Sequence, residues 1–283
     1  METKSTLIKE IKRISCEIWD QMHEVIQLQQ GANEPSITSS IFSELKKLER
    51  KGLSIAIATR TESPENITGA DIEWWLEEEG KFIALSIQAK RLYSNDEYSQ
   101  LDYYVGEEKK PQIDILIEYA EQNKMIPLYS FYNFIQYEGG SDVHTQHDKA
   151  WTYAYAHDLL NVKTSSPSDY QKREYLESAC DIKPIYNIFN IGLTGVLENY
   201  KAVHESINIS SYKHSDCPSY IKELKRKIND TMLYTTIEEA MSIFQGHSTR
   251  TTPPPPKELE TNQKIFIYTN LTPYHDHLKA LGF

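Results

Sequence analysis

Asp71, Gln88 and Lys90 are the residues of this chain whose types and spacing could do chemistry together. Asp71 closes the run Thr68-Gly69-Ala70-Asp71, and Gln88-Ala89-Lys90 follows after a segment with the alternation of a β-hairpin. A carboxylate and an amide carbonyl are hard oxygen ligands of the kind Mg²⁺ takes, with water and phosphate oxygens completing its shell. A lysine beside them would orient an attacking water, help to deprotonate it, and stabilise charge building on a phosphate. Metal-dependent hydrolysis of a phosphodiester needs that set of groups.

A hairpin must bring them together. From Lys81 onward, Ile83, Leu85, Ile87 and Ala89 alternate with Ala84, Ser86, Gln88 and Lys90. A strand turns the first set to a core and the second to its other face. Gln88 and Lys90 then lie roughly 6–7 Å apart. Upstream, Asp71, Glu73, Trp75 and Glu77 alternate with Ile72, Trp74 and Leu76, and Glu77 to Lys81 supplies a turn in which Gly80 can take positive φ. That turn sets Asp71 opposite residues 87 to 88, and a slip of one residue would reverse every facing. Of the two tryptophans, one is expected in the core and the other partly exposed. Glu73 reads as a structural acid ahead of a further ligand. The plainer alternative for the whole cluster is a solvated hairpin face.

Asp71…Gln88-x-Lys90 resembles the signature of the PD-(D/E)xK nuclease superfamily, in the variant with Gln-x-Lys for Glu-x-Lys, as in Mrr-type restriction endonucleases. Ile67-Thr68-Gly69-Ala70 stands where the family name advertises a proline, a position the superfamily keeps poorly. The resemblance implies an α/β, restriction-endonuclease-like fold with an α-β-β-β-α-β core. It implies Mg²⁺ as cofactor with Mn²⁺ as substitute, a nucleic-acid substrate with DNA ahead of RNA, and a setting in microbial defence or restriction. It also implies an acid on the first core helix that completes the metal site.

The resemblance covers roughly residues 36 to 134. Residues 36 to 51 predict a helix with Ser36 or Thr38 as N-cap, Ile37, Ile41, Leu45 and Leu48 as its apolar stripe, and Gly52 beyond its end. Glu44 falls on the inward side of that helix. A carboxylate there is costly unless paired or metal-bound, so Glu44 is the candidate for the helix-borne acid. Leu53 to Thr59 predicts the first strand, before a loop with Ser63-Pro64; residues 111 to 123 predict an amphipathic helix, and Met125 to Tyr132 the last core strand. An N-terminal helix over residues 5 to 29 presents an apolar face to the core, with a dimer contact allowed.

Trp151 to His157 is expected to open a helix that closes a nuclease-like domain of residues 1–165. Residues 166–283 are expected to form a mainly helical accessory region, with helices at 192 to 207 and around Lys222, Lys225, Arg226 and Lys227. A polyproline spacer, Pro253 to Pro256, then leads to a strand, Lys264 to Tyr268, returning to a sheet edge.

A net charge of −11 argues against tight, unassisted binding of nucleic acid. Local cations (Lys46, Lys47, Arg50, Lys51, Lys90-Arg91, Lys109-Lys110), an activating partner or homo-oligomerisation would offset it. Cys16, Cys180 and Cys217 are dispersed and odd in number, which argues for a reducing cytoplasm and against a zinc ribbon or disulfide framework. No apolar run has the length of a membrane span, and the N-terminus lacks a signal peptide's apolar block, so a cytoplasmic protein without a membrane partner is expected. His144-Thr145-Gln146-His147-Asp148 and His275-Asp276-His277 lack a third distant ligand and read as solvated. There is no nucleophile elbow and no phosphate-cradling glycine loop. From another class, a non-catalytic protein-interaction module on the same scaffold also suits the acidic charge.

Overall fold

A computed structural model describes residues 4–27, 34–60, 65–134, 147–204, 209–230 and 264–272. At its centre β2 (Ile72–Glu78) and β3 (Lys81–Arg91) pair antiparallel, with Ile72 opposite Ile87 and Glu78 opposite Lys81. Glu79 and Gly80 form the turn, both at positive φ, 53° and 76°. Two such residues match the twist of the flanking strands. Asp71 continues the ladder, its N–H donating to the Ile87 carbonyl at 3.0 Å.

Before the hairpin come α1 (Lys4–Gln27), α2 (Glu34–Arg50), β1 (Ile55–Arg60) and the short α3 (Glu65–Thr68). After it come β4 (Tyr104–Val105), β5 (Lys110–Pro111), α4 (Gln112–Gln122), β6 (Ile126–Tyr132), β7 (Trp151–Tyr155), α5 (Ala156–Ser165) and α6 (Arg173–Ala179). The chain continues through β8 (Lys183–Pro184), α7 (Tyr186–Val203), β9 (Tyr212–Lys213), α8 (residues 219–230) and β10 (Lys264–Asn270). The large sheet runs β1-β10-β2-β3-β6-β7-β8, with β9 also paired to β3. β3 and β6 are parallel, joined by the crossover through α4, while β4 and β5 form a separate small hairpin.

Helices cover both faces of the sheet. Ile83, Leu85, Ile87 and Ala89 pack with the apolar stripes of α1, α2 and α7. On the other face, α4, α5 and α6 pack near Tyr129 and Phe131, and α8 sets Ile221, Leu224 and Ile228 on Trp75, Phe82 and Ala84. The hairpin face that reads as solvated is therefore buried. Trp74 and Trp75 are both buried, on opposite sides of β2, where one of the pair was expected to be partly exposed.

Two further expectations are corrected. Trp151 to Tyr155 is a strand: Trp, Thr and Tyr favour a pleated, packed surface, and all five residues are buried against β6. The helix starts only at Ala156. β10 does not sit at an edge but lies between β1, antiparallel to it, and β2, parallel to it. All seven of its residues are buried, which an interior strand covered on both faces requires.

The sheet crosses the boundary expected at residue 165, since β8, β9 and β10 pair with β7, β3, β1 and β2. Residues 28 and 29 of the expected N-terminal helix, Ser63-Pro64, the polyproline run, residues 144 to 146 and His275-Asp276-His277 lie outside the described residues. A fragment of residues 1–165 would lose the strand between β1 and β2 and leave both with open edges. It is expected to show no cooperative thermal transition by far-UV circular dichroism; a sharp transition would contradict this sheet order.

Candidate functional site

Asp71 is positioned by the residues before it. The Thr68 hydroxyl accepts the Ala70 N–H and donates to the Ala70 carbonyl, both at 3.3 Å. Gly69, at φ 61°, lies against α4: a Cβ there would come within 2.7 Å of the Leu116 backbone nitrogen and 3.0 Å of the Gln112 carbonyl oxygen. Glycine is the residue that allows both the left-handed backbone and that approach.

The Asp71 carboxylate is then clamped by two donors. Its Oδ2 accepts Gln88 Nε2 at 2.7 Å and the Ala89 N–H at 2.8 Å. Gln88 is 1% exposed, and its Nε2 also reaches the Ala89 carbonyl at 3.2 Å. With the amide nitrogen on Asp71, Gln88 Oε1 is buried and has no hydrogen-bond partner among the described residues. Reversing the amide would set two oxygens against each other, so the network fixes the assignment.

Tyr129 faces Gln88 across the β3–β6 ladder, and its buried hydroxyl likewise has no hydrogen-bond partner among the described residues. Burial, then the neighbouring Tyr170 and the negative charges of Asp71, Glu34 and Asp114, push this phenol well above its ordinary pKa. It therefore stays protonated. A buried acceptor and a buried donor on adjacent strands each carry a desolvation cost until a ligand or water meets them.

Lys90 is 4% exposed, with Nζ 3.9 Å from Glu34 Oε1 and 5.9 Å from the centre of the Tyr103 ring. Glu34 belongs to the first turn of α2, which is tied to the sheet through Thr38. The Thr38 hydroxyl bonds the Glu34 carbonyl at 3.1 Å and meets the Tyr132 hydroxyl at 3.1 Å.

Asp71, Gln88 and Lys90 are thus brought together, and Glu44 is not. Ten residues of helix place Glu44 about 15 Å along the axis from Glu34. Arg13 Nη2 at 3.0 Å and the Lys47 ammonium hold it instead. Burial alone would raise its pKa, but those two cations win and keep it below the usual carboxylate value. An ion pair, not a metal, answers its burial. Glu34 is the helix-borne acid at the cluster. The available signal was Pro35, which a helix tolerates in its first turn, so α2 could begin upstream of Ser36.

Glu73 has structural partners: Trp75 Nε1 donates to it at 2.7 Å, Lys264 Nζ lies at 3.4 Å, and the Tyr220 hydroxyl also bonds it. His147 packs edge-on to Trp19, and Asp148 accepts the Tyr186 hydroxyl at 3.0 Å. Among the described residues, no three His, Cys, Asp or Glu side chains form a group able to hold a metal. Asp71 and Gln88 would offer one carboxylate and one amide oxygen. That donor set fits a hard divalent cation which keeps waters and takes phosphate oxygens, and Gln88 Oε1 is the orphaned acceptor such a cation would satisfy.

Fold and site together define a mixed α/β protein in which a half-buried Asp71 and the buried Gln88 and Lys90 lie at one end of the sheet. Residues 7–263 match the family described as a family of unknown function (DUF6615), and the chain belongs to it. No curated protein matches the chain. No helix among the described residues is long and apolar enough to cross a membrane.

Gly69→Ala would strain the backbone and press a methyl group on α4, at a cost of about 1–3 kcal/mol. The melting temperature is expected to fall by several degrees; an unchanged melt would contradict the close approach.

Proposed function

We propose that this chain is a Mg²⁺-dependent nuclease, with Mn²⁺ as an alternative ion, that hydrolyses phosphodiester bonds of nucleic acid, DNA ahead of RNA. The observation that carries the reading is Gln88 Oε1, a buried acceptor without a hydrogen-bond partner among the described residues, beside the Asp71 carboxylate and on the strand that carries Lys90. The element order supports it: α2, β1, β2, β3, α4 and β6 follow the α-β-β-β-α-β sequence that the resemblance implies, with the short α3 interposed after β1 and the β4–β5 hairpin after β3. β10, set between β1 and β2, is an addition to that pattern.

In this reading Asp71 and Gln88 would hold the metal ion, which would polarise a phosphate oxygen and acidify a water. Lys90 orients that water and stabilises the charge that builds on the phosphate. Glu34 takes the place assigned to Glu44, steadying the Lys90 ammonium and offering a carboxylate to the water. Tyr129 keeps its proton and remains a donor. The water oxygen bonds to phosphorus, one P–O ester bond breaks, and the proton that the water sheds ends on the leaving oxygen or in solvent. The setting in microbial defence rests on the resemblance alone, and the acidic charge favours an activating partner.

Cleavage of supercoiled plasmid with Mg²⁺ or Mn²⁺ tests the reading. The parent protein is expected to nick or linearise it, and Asp71→Ala or Lys90→Ala to lower the rate by about 10²–10³-fold or more. Full activity in Lys90→Ala would sink the site. Inactivity of the parent on DNA and RNA, with no Mn²⁺ heat in calorimetry, would favour the non-catalytic interaction module. Glu34→Ala is expected to lower the rate, while Glu44→Ala leaves it unchanged and costs only about 1 kcal/mol of stability. The reverse order would restore Glu44 to the site.

A further inference from the structure

Tyr103 and Tyr104 sit at the rim of the Lys90 site and are 46% and 45% exposed. Among the described residues only Ile67 and Val203 are comparably exposed large apolar side chains. The segment that carries the two tyrosines is held in place. The Tyr103 carbonyl accepts the Gln112 N–H at 2.9 Å at the start of α4, and Tyr104 pairs with Pro111 in the β4–β5 hairpin. Neighbouring side chains on an extended strand point opposite ways. Tyr103 accordingly lies toward Lys90, 5.9 Å from Nζ, and Tyr104 toward Lys163, 5.3 Å from Nζ.

Several of the cations around this rim are paired, while Arg91 stacks on Tyr93, 3.9 Å from its ring centre. Lys90 faces Glu34 at 3.9 Å, Lys163 pairs with Asp102 at 2.5 Å, and Lys110 pairs with Glu118 at 2.5 Å. Lys46 and Lys47, counted from the sequence as possible phosphate contacts, pair with Glu49 and Glu44. A duplex-binding protein draws most of its affinity from phosphate neutralisation. Here, with a net charge of −11, that source is weak. Base stacking on an aromatic ring does not depend on charge and tolerates any sequence, because every base has a π-face. It requires a base that is not already stacked inside a duplex.

We propose that Tyr103 is a stacking platform for an unpaired base next to the phosphate at Lys90, so that the substrate class is single-stranded nucleic acid, including the transiently unpaired stretches of a supercoiled plasmid. The inference rests on the nuclease reading and narrows it. Tyr103 is pre-ordered by its backbone bonds, so little ordering cost opposes the contact. Tyr104 faces away from the site and serves as the internal control.

The test is fluorescence anisotropy of the full chain with a labelled oligothymidine and with a duplex of the same length, in EDTA so that no cleavage intervenes. Oligothymidine is expected to bind at least about tenfold tighter than duplex, with a shallow salt dependence. Tyr103→Ala is expected to weaken it about 5- to 150-fold, the range of one lost base stack. Tyr103→Phe should keep the affinity, and Tyr104→Ala should change it less than Tyr103→Ala. Duplex bound as tightly as single strand, affinity indifferent to Tyr103→Ala, or no binding of either probe would overturn the proposal. Strand cleavage by the parent and Lys90→Ala, measured alongside, separates the two readings. Cleavage with no Tyr103 dependence removes the platform and leaves the nuclease. Tyr103-dependent binding without cleavage removes the nuclease and leaves the platform.

Discussion

The two hydrogen bonds to Asp71 Oδ2, from Gln88 Nε2 and the Ala89 N–H, exist in only one register of β2 against β3. Everything proposed for this chain depends on that register. A slip of one residue would send Gln88 and Lys90 into the apolar layer shared with α1, α2 and α7. The register is held at both ends. Glu79 and Gly80 close the turn at positive φ, and Gly69 seats the start of β2 against α4. Between them, the tryptophans lock β2 into both layers of the core.

Partners separate the buried acids that hold the fold from the groups that remain for a ligand. Glu73 faces Lys264, Glu77 pairs with Lys225 at 2.6 Å, and Glu49 pairs with Lys46 and Lys227. Apart from the Lys46–Glu49 pair within α2, each of these contacts joins distant parts of the chain, and removing one partner would strand a buried charge. Gln88 Oε1 and the Tyr129 hydroxyl differ, because their environment supplies no such partner among the described residues. They lie on neighbouring strands at the end of the sheet where Glu34 and Lys90 meet. A structural network and a candidate site thus share one sheet.

Local pattern carried the hairpin. Period-two alternation and Gly80 were enough to set Asp71 opposite Gln88, because strand facing and turn chemistry are properties of adjacent residues. The long-range features were not legible. Nothing near Lys264 tells that β10 pairs with strands some 190 residues earlier, so it read as an edge. The burial of Gln88 and Lys90 depends on helices that close over that face. Glu44 misled because an inward carboxylate on a helix has two remedies, a metal or an ion pair, and its cation Arg13 lies on another helix. Glu34 was missed because the helix boundary was placed two residues late, at Ser36 rather than Glu34. Trp151 to Tyr155 misled through its continuity with the helix that follows.

Anomalous diffraction from crystals of the full chain soaked in Mn²⁺ tests the central claim most directly, because it places the ion without requiring turnover or an activator. The account predicts a peak within ligand distance of the Asp71 carboxylate and Gln88 Oε1, on the side of the sheet that carries Lys90. An ion bound only elsewhere, or none at saturating Mn²⁺, would contradict a metal-dependent site at Asp71 and Gln88.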